Sequence, residues 1–335
     1  MARNAGWRLS QLVLRYGLLI VLAVLVTSFA LACPGFSTGT NLDSMLRAAS
    51  IAAIMYGGAT WAIASGEIDV SFMQVAAVAN MLVAATVPYG WALAVSLGVL
   101  AGIGIGLLNG LIVGLLRLPS LIVTIATGGI ALSIATSIGR GSSVSIANAG
   151  FIGEFLSVNV VGIPAVASLA AVIYGIAWYL QERLLFGHYL YATAQNRRAV
   201  MEAGIPVSKI IVILFAISGV TSATAGILLA ADLASGQPRI GESYFLDGLT
   251  AIFLGALVIR PFEPNALGTL VGVLLLATLT SGTALLGWTD WQQQMLKGFL
   301  LLVSLVVVFG ARHATVEDGE AKGVQAARKR TAAES

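Results

Sequence analysis

The sequence has 335 residues with 18 Lys+Arg, 15 Asp+Glu and 2 His, a net charge of +3, and it is 58 % hydrophobic but only 10 % charged. A soluble domain carries about 25 % charged residues, and folding at this size hides only about 75 % of the chain's surface. A soluble enzyme, a secreted disulfide domain and a nucleic-acid-binding module are therefore excluded, and an all-α polytopic membrane protein remains.

A spanning helix needs about 20 apolar residues to cross a hydrocarbon core of about 30 Å. Ten such stretches follow one another, roughly at 11–33, 45–65, 69–87, 91–116, 119–138, 164–181, 209–231, 245–259, 266–286 and 291–310. They are continuous and rich in Ala, Leu, Val and Gly, unlike the alternating ten-residue units of a membrane β-barrel. The first is longer than the apolar region of a cleaved leader and reads as an uncleaved signal-anchor. Residues 1–311 form one transmembrane domain. The polar stretch 312–335 reads as a disordered tail.

Lys and Arg set the orientation. One side holds Arg3, Arg8 and Arg15, then Arg117, then Arg183, Arg197, Arg198 and Lys209, then Arg260 and the basic tail. The other holds only Arg47, Arg140 and Arg239. The basic side is expected to be cytoplasmic, with both termini on it.

Between the second and third stretches lies Ser65-Gly66-Glu67-Ile68-Asp69-Val70-Ser71. It reads either as a cytoplasmic turn or as a break at mid-membrane, of the kind that lines transporter pathways. Glu67, Asp69 and Ser71, with Asn109 in the fourth stretch, are the candidate pathway and gate residues, because polar groups in a span are costly and mark function. Lys297 in the last stretch reads as a salt bridge to an acid on a neighbouring helix. Asp43, Glu154, Glu182 and Glu263 read as solvated helix ends, and Asp232 and Asp247 as residues beside an external loop. Gly66-Glu67 followed by a Gly-rich helix, and Gly241-Glu242 followed by another, suggest a weak two-fold internal repeat.

No catalytic pattern is present. HExxH, GxSxG, a phosphate-binding P-loop and a βαβ-associated GxGxxG are all missing, and the glycines from Gly102 to Gly106 read as helix-packing positions. One cysteine, Cys33, and two distant histidines, His188 and His313, give no disulfide framework and no metal centre. No cofactor is expected on this chain, and any ATP must bind on another.

The longest polar stretch between spans is 182–208. Asn196 is suited to cap a short helix over 197–203, which Gly204 stops and Pro206 follows. A short capped helix outside the membrane is suited to docking a partner. Gly187, Tyr191, Asn196, Ala199, Ala203 and Gly204 are its candidate residues.

This segment, through Gly187, Tyr191, Ala192, Asn196, Ala199, Gly204, Ile205 and Val207, resembles the coupling segment of bacterial ABC importer permeases of the ribose/xylose/autoinducer-2 class. The 65–71 segment is similar to that family's SGGIDLS motif. Gly106-Leu107-Leu108-Asn109-Gly110, with Leu118-Pro119-Ser120 beyond it, is a third match. The resemblance covers roughly 12–311. It implies an inner-membrane permease, not itself an enzyme, that works with cytoplasmic ATPase subunits, a second permease copy and a periplasmic sugar-binding protein. Lipid surrounds it, and nucleic acid has no place in it. Two positions depart from the family pattern: Glu67 stands where glycine is usual, and the 255–265 region lacks the usual glycine-rich loop. These departures suggest a heterodimer with a non-identical permease, as against a homodimer. Without the resemblance, an ion-coupled secondary transporter using Glu67, Asp69 and Lys297 remains the alternative.

Overall fold

Ala, Leu and Gly crowd the chain into helices that approach one another closely, and this decides the architecture. The computed structural model describes residues 2–310, with side chains from Tyr16 onward; Arg3, Arg8, Arg15, His313 and the 312–335 tail lie outside the described side chains. The helices run α1 (Ala2–Ala32), α2 (Gly39–Ala64), α3 (Phe72–Thr86), α4 (Trp91–Leu115), α5 (Ser120–Ile138), α6 (Gly150–Ser157), α7 (Ala165–Arg183), α8 (Leu185–Glu202), α9 (Val207–Asp232), α10 (Glu242–Gly255), α11 (Ala266–Leu285) and α12 (Asp290–Gly310). A 3-10 turn, Val87–Tyr89, extends α3. Two small antiparallel pairs, β1 (Val144–Ser145) with β4 (Ser235–Gly236) and β2 (Asn159–Val160) with β3 (Ile163–Pro164), sit at the loops.

Each of the ten predicted stretches falls on one of these helices. Seven described helical segments are long and apolar enough to cross a membrane: 72–89, 91–115, 120–138, 165–183, 207–232, 266–285 and 290–310. Tyr16–Ala32 is a shorter apolar helix, and α10 has only 14 residues. Length and hydropathy alone therefore single out fewer spans than the ten expected.

The centre of the bundle is the packing of α9 against α2, α3 and α4. One face of α4 carries Gly102, Gly106, Gly110 and Gly114, which meet Gly219, Phe215, Val212 and Ser208 of α9 in antiparallel register. A methyl on Gly106 would overlap the Phe215 carbonyl oxygen, whereas Gly104, two residues away, faces open space. Lipid tails are as apolar as Leu, so helices gain little by hiding apolar surface and associate through close backbone packing instead. The packing role read for the glycines from Gly102 to Gly106 holds for Gly102 and Gly106 and fails for Gly104.

The 65–71 connection does not leave the bundle. Val70, Asp69 and Ser71 are buried, and Asp69 reaches Ser218 on α9, about 16 Å along that helix from Val207 at 1.5 Å per residue. The connection is a break in the helical run whose Asp69–Ser71 part is buried, while Gly66 and Ile68 are exposed. The 233–241 connection enters from the opposite end in the same manner. Asn80 of α3 accepts a hydrogen bond from Gln237 N at 2.6 Å and donates to Gly226 O at 3.2 Å, and Gly241 packs on the Met73 backbone. The starts of the short helices α3 and α10 therefore meet at Met73 and Gly241, with Phe72 buried and with Glu242 and Ser243 exposed.

Candidate functional site at the interior break and the 182–208 segment

At the break, a carboxylate is buried among hydroxyls. Asp69 Oδ1 accepts from Ser71 N at 2.8 Å and Ser71 Oγ at 2.7 Å, and Oδ2 accepts from Ser218 Oγ at 2.6 Å. Asn109 Nδ2 donates to Ser71 Oγ at 2.9 Å. Three of the four candidate pathway residues, Asp69, Ser71 and Asn109, therefore form one network joining α4, α9 and the start of α3. A buried charge is tolerated only when it is hydrogen-bonded in this way. The break is also stitched to α5, where Ser120 Oγ accepts from Ile68 N at 2.9 Å and Thr124 Oγ1 donates to Ile68 O at 3.1 Å.

Glu67, the fourth candidate, points away from this network. Its Oε1 lies 2.8 Å from Arg197 Nη1, so it ties the break to α8. The 182–208 segment has the predicted cap. Asn196 leaves helical geometry at φ −153, ψ 85, and its Oδ1 accepts from Ala199 N at 3.0 Å. Gly204 has φ +79, the left-handed conformation that glycine adopts without penalty at a helix stop. The structure adds what the sequence reading lacked: the stretch before Asn196 is also helical, so α8 is two short helices meeting at a kink.

The six candidate docking residues divide. Asn196, Ala199, Ala203 and Gly204 are exposed beside Arg198 and Glu202, while Gly187 and Tyr191 are buried. A methyl on Gly187 would overlap the Gln181 carbonyl. Tyr191 Oη donates to Pro264 O at 3.0 Å and accepts from Gln181 Nε2 at 2.7 Å, and Gln181 Oε1 accepts from Ala266 N at 2.8 Å. These residues anchor α8 to the bundle and present the exposed turns.

A second ion pair reinforces the anchor. Arg260 Nε is 2.8 Å from Glu182 Oε1, Nη1 is 3.5 Å from Glu263, and the guanidinium stacks 4.5 Å from the Tyr191 ring centroid. Burial pushes the Tyr191 phenol up. Desolvation disfavours the Arg260 charge, but Glu182, Tyr191 and Glu263 outweigh it and hold the group above its ordinary value. Glu182 and Glu263 are therefore not free solvated ends. Asp43 pairs with Arg47 at 2.7 Å, and Asp232 lies 3.7 Å from the same arginine. Asp247 is a further correction: it lies within α10 and pairs with Lys297 at 2.8 Å. That contact is the interhelical bridge expected of Lys297.

Sequence reasoning missed Arg197, Ser218, Gln181 and Arg260 as partners. The signal available was that Glu67 and Arg260 occupy the two places where the chain departs from the family pattern. Glu67 supplies one end of an ion pair to Arg197 on α8, whereas Arg260 pairs with Glu182 at the end of α7 and reaches α8 through the Tyr191 ring.

Comparison with known proteins agrees with this geometry. A family model described as "Branched-chain amino acid transport system / permease component" matches residues 41–305. The ribose import permease protein of Bacillus subtilis is 33 % identical over 301 residues, covering 88 % of this chain and 92 % of the relative. That of Escherichia coli K12 is 31 % identical over 294 residues, covering 86 % and 92 %. The L-arabinose transport system permease protein of Escherichia coli K12 is 32 % identical over 294 residues, covering 87 % and 89 %. No solved structure matches. With most of its length matched by the family model and by relatives of nearly the same extent, the chain belongs to this family of multi-pass membrane transport permease components.

Proposed function

We propose that the chain is the membrane permease subunit of an ATP-driven, binding-protein-dependent importer of a sugar or sugar-like solute. The observation that carries the reading is the short helix after Asn196, exposed on one face and tied by Arg197 to the interior break. A push on that helix reaches Glu67, two residues before Asp69 in the same connection. The ribose and arabinose permeases among the relatives point to a monosaccharide as cargo.

In this reading ATPase subunits dock on Asn196, Ala199, Ala203 and Gly204, and a periplasmic binding protein delivers the solute at the other end. The Lys/Arg bias supports a cytoplasmic α8 with both termini on the same side. Ten spans in an inner-membrane bundle accommodate α2 and α10, with α3–α4 and α10–α11 as the two arms of an internal repeat; the meeting of Gly241 with Met73 at the starts of α10 and α3 supports that pairing. A second permease completes the pathway. The Glu67 and Arg260 departures favour a non-identical one.

The ion-coupled alternative needs Glu67, Asp69 and Lys297 to relay a proton or ion. Each is engaged elsewhere: Glu67 with Arg197, Asp69 with serines, and Lys297 with Asp247. The test is purification of the tagged chain from native membranes, followed by transport in proteoliposomes. An ATPase and a second permease are expected to co-purify, with uptake requiring ATP and a binding protein. Solute uptake by the chain alone, without ATP, would overturn the reading.

A further inference from the structure

At the end of the bundle opposite α8, a cavity of about 620 Å³ opens between α2, α10, α11 and α12. This lies within the usual range of ligand pockets, about 300–1,000 Å³. Its mouth is marked by Asn41 at the start of α2, Ser281 near the end of α11 and Asp290 at the start of α12. It extends along the first half of the short helix α10 to Asp247 and to Tyr56 on α2. Pathway sites in transporters form at such interrupted helices.

Two residues lining this cavity each carry a buried polar atom without a hydrogen-bond partner among the described residues: Tyr56 Oη and Asp247 Oδ1. Tyr56 is only 1 % exposed. Leaving such groups unpaired is costly, so they favour an occupant with hydrogen-bonding groups. Asp247 Oδ2 is taken by Lys297 at 2.8 Å, which leaves Oδ1 as a pure acceptor. Tyr56 can donate or accept. Gln293, 9 % exposed, adds an amide. A hydroxyl matches all three groups, because it both donates and accepts.

The charge pattern narrows the ligand. Asp247 and Lys297 neutralise each other, and Asp290 at the mouth repels anions. A zwitterion would have to break an ion pair that is already formed. An apolar occupant, such as a lipid tail, would leave Tyr56 Oη and Asp247 Oδ1 unpaired. The remaining wall, including Ala52, Val273, Leu276 and Ala277, is apolar and suits the C–H faces of a sugar ring.

We propose that this cavity is a binding site for a neutral, hydroxyl-rich solute within a single permease chain, formed by Tyr56, Asp247 and Gln293 and braced by Lys297. The choice of sugar probes rests on the importer reading, but the site is tested without transport.

Cys33, the sole cysteine and buried, is replaced by alanine, and Ala277→Cys places one thiol on the cavity wall. Labelling by a hydrophilic maleimide is followed on the full chain in membrane vesicles with D-ribose, L-arabinose, D-sorbitol or L-leucine present. At least one of the hydroxylated solutes is expected to slow labelling, and L-leucine is not. Tyr56→Phe is expected to raise the protecting concentration about tenfold without lowering thermal stability, since that hydroxyl has no hydrogen-bond partner among the described residues to lose. A thiol that does not react, equal labelling with all solutes, or protection by L-leucine alone would overturn the site. So would protection that appears only on adding phospholipid, or that survives Tyr56→Phe unchanged. ATP-dependent uptake without such protection would sink the site and leave the importer reading standing.

Discussion

Glu67 and Arg197 stand 130 residues apart in the chain, yet their side chains meet at 2.8 Å. The pair joins the interior break between α2 and α3 to the exposed turn of α8. The side chains are 12 % and 32 % exposed, so the contact is sheltered on the Glu67 side and partly screened by solvent on the other. A motion of α8 therefore has a mechanical route to the segment that holds Asp69.

Breaking this link is expected to uncouple transport from ATP hydrolysis without unfolding the chain. Glu67→Gln and Arg197→Met are each expected to lower uptake per ATP hydrolysed about fivefold, in line with about 1 kcal/mol for a partly exposed pair. The exchange Glu67→Arg with Arg197→Glu is expected to recover part of the loss. The check is uptake and ATPase activity in the same reconstituted assembly; equal falls in both would point to a structural defect instead.

The α8 cap is a local device with a local cost. Asn196→Ala removes the acceptor for Ala199 N and is expected to cost about 1 kcal/mol of helix stability, whereas Asn196→Asp keeps it. Gly204→Ala forces a side chain into φ +79, at about 1–2 kcal/mol. No neighbour lies close enough to Gly204 to add a steric penalty. Ala and not Asp at 196, and Ala at 204, are expected to weaken ATPase co-purification several-fold with little change in the melting temperature of the permease.

Asp69 is expected to matter for folding first. Ser218→Ala removes one of its three donors and leaves a buried carboxylate less satisfied, at about 1–3 kcal/mol. Asp69→Asn turns an acceptor-only group into one that also donates toward donors, and is expected to cost more. Thermal unfolding of the purified chain, read by monodisperse fraction after heating, ranks the two; an unshifted Asp69→Asn would refute this account of the network.

The α4–α9 contact offers a matched control. Gly106→Leu is expected to abolish recovery of folded protein, because even a first methyl overlaps the Phe215 carbonyl. Gly104→Leu, on the open face of the same helix, is expected to be tolerated. Yield and monodispersity in detergent compare them.

Much of the molecule was written locally. Continuous apolar runs located each helix of the bundle, since a helix in lipid satisfies its own backbone and needs only length and apolarity. The Asn196 cap and the Gly204 stop were legible because capping acts over a few residues. The α4 glycines were legible only in part: Gly102 and Gly106 pack on α9 as read, whereas Gly104, read with them, faces open space because it lies on another face of the helix.

Tertiary structure alone decided what the polar residues do. Asp69 finds Ser218 across 149 residues, Arg260 finds Glu182 across 78 and Lys297 finds Asp247 across 50. An ion pair depends on distance in space, and no periodicity in the chain encodes which distant helix will lie alongside. The same holds for the short helices α3 and α10, whose starts meet at Met73 and Gly241 because two connections approach from opposite ends. The sequence thus determined that this chain is a bundle of membrane helices with a capped helix outside it. Close backbone packing, which brings distant charges together where solvent cannot compete, decided that the helix is wired to the interior.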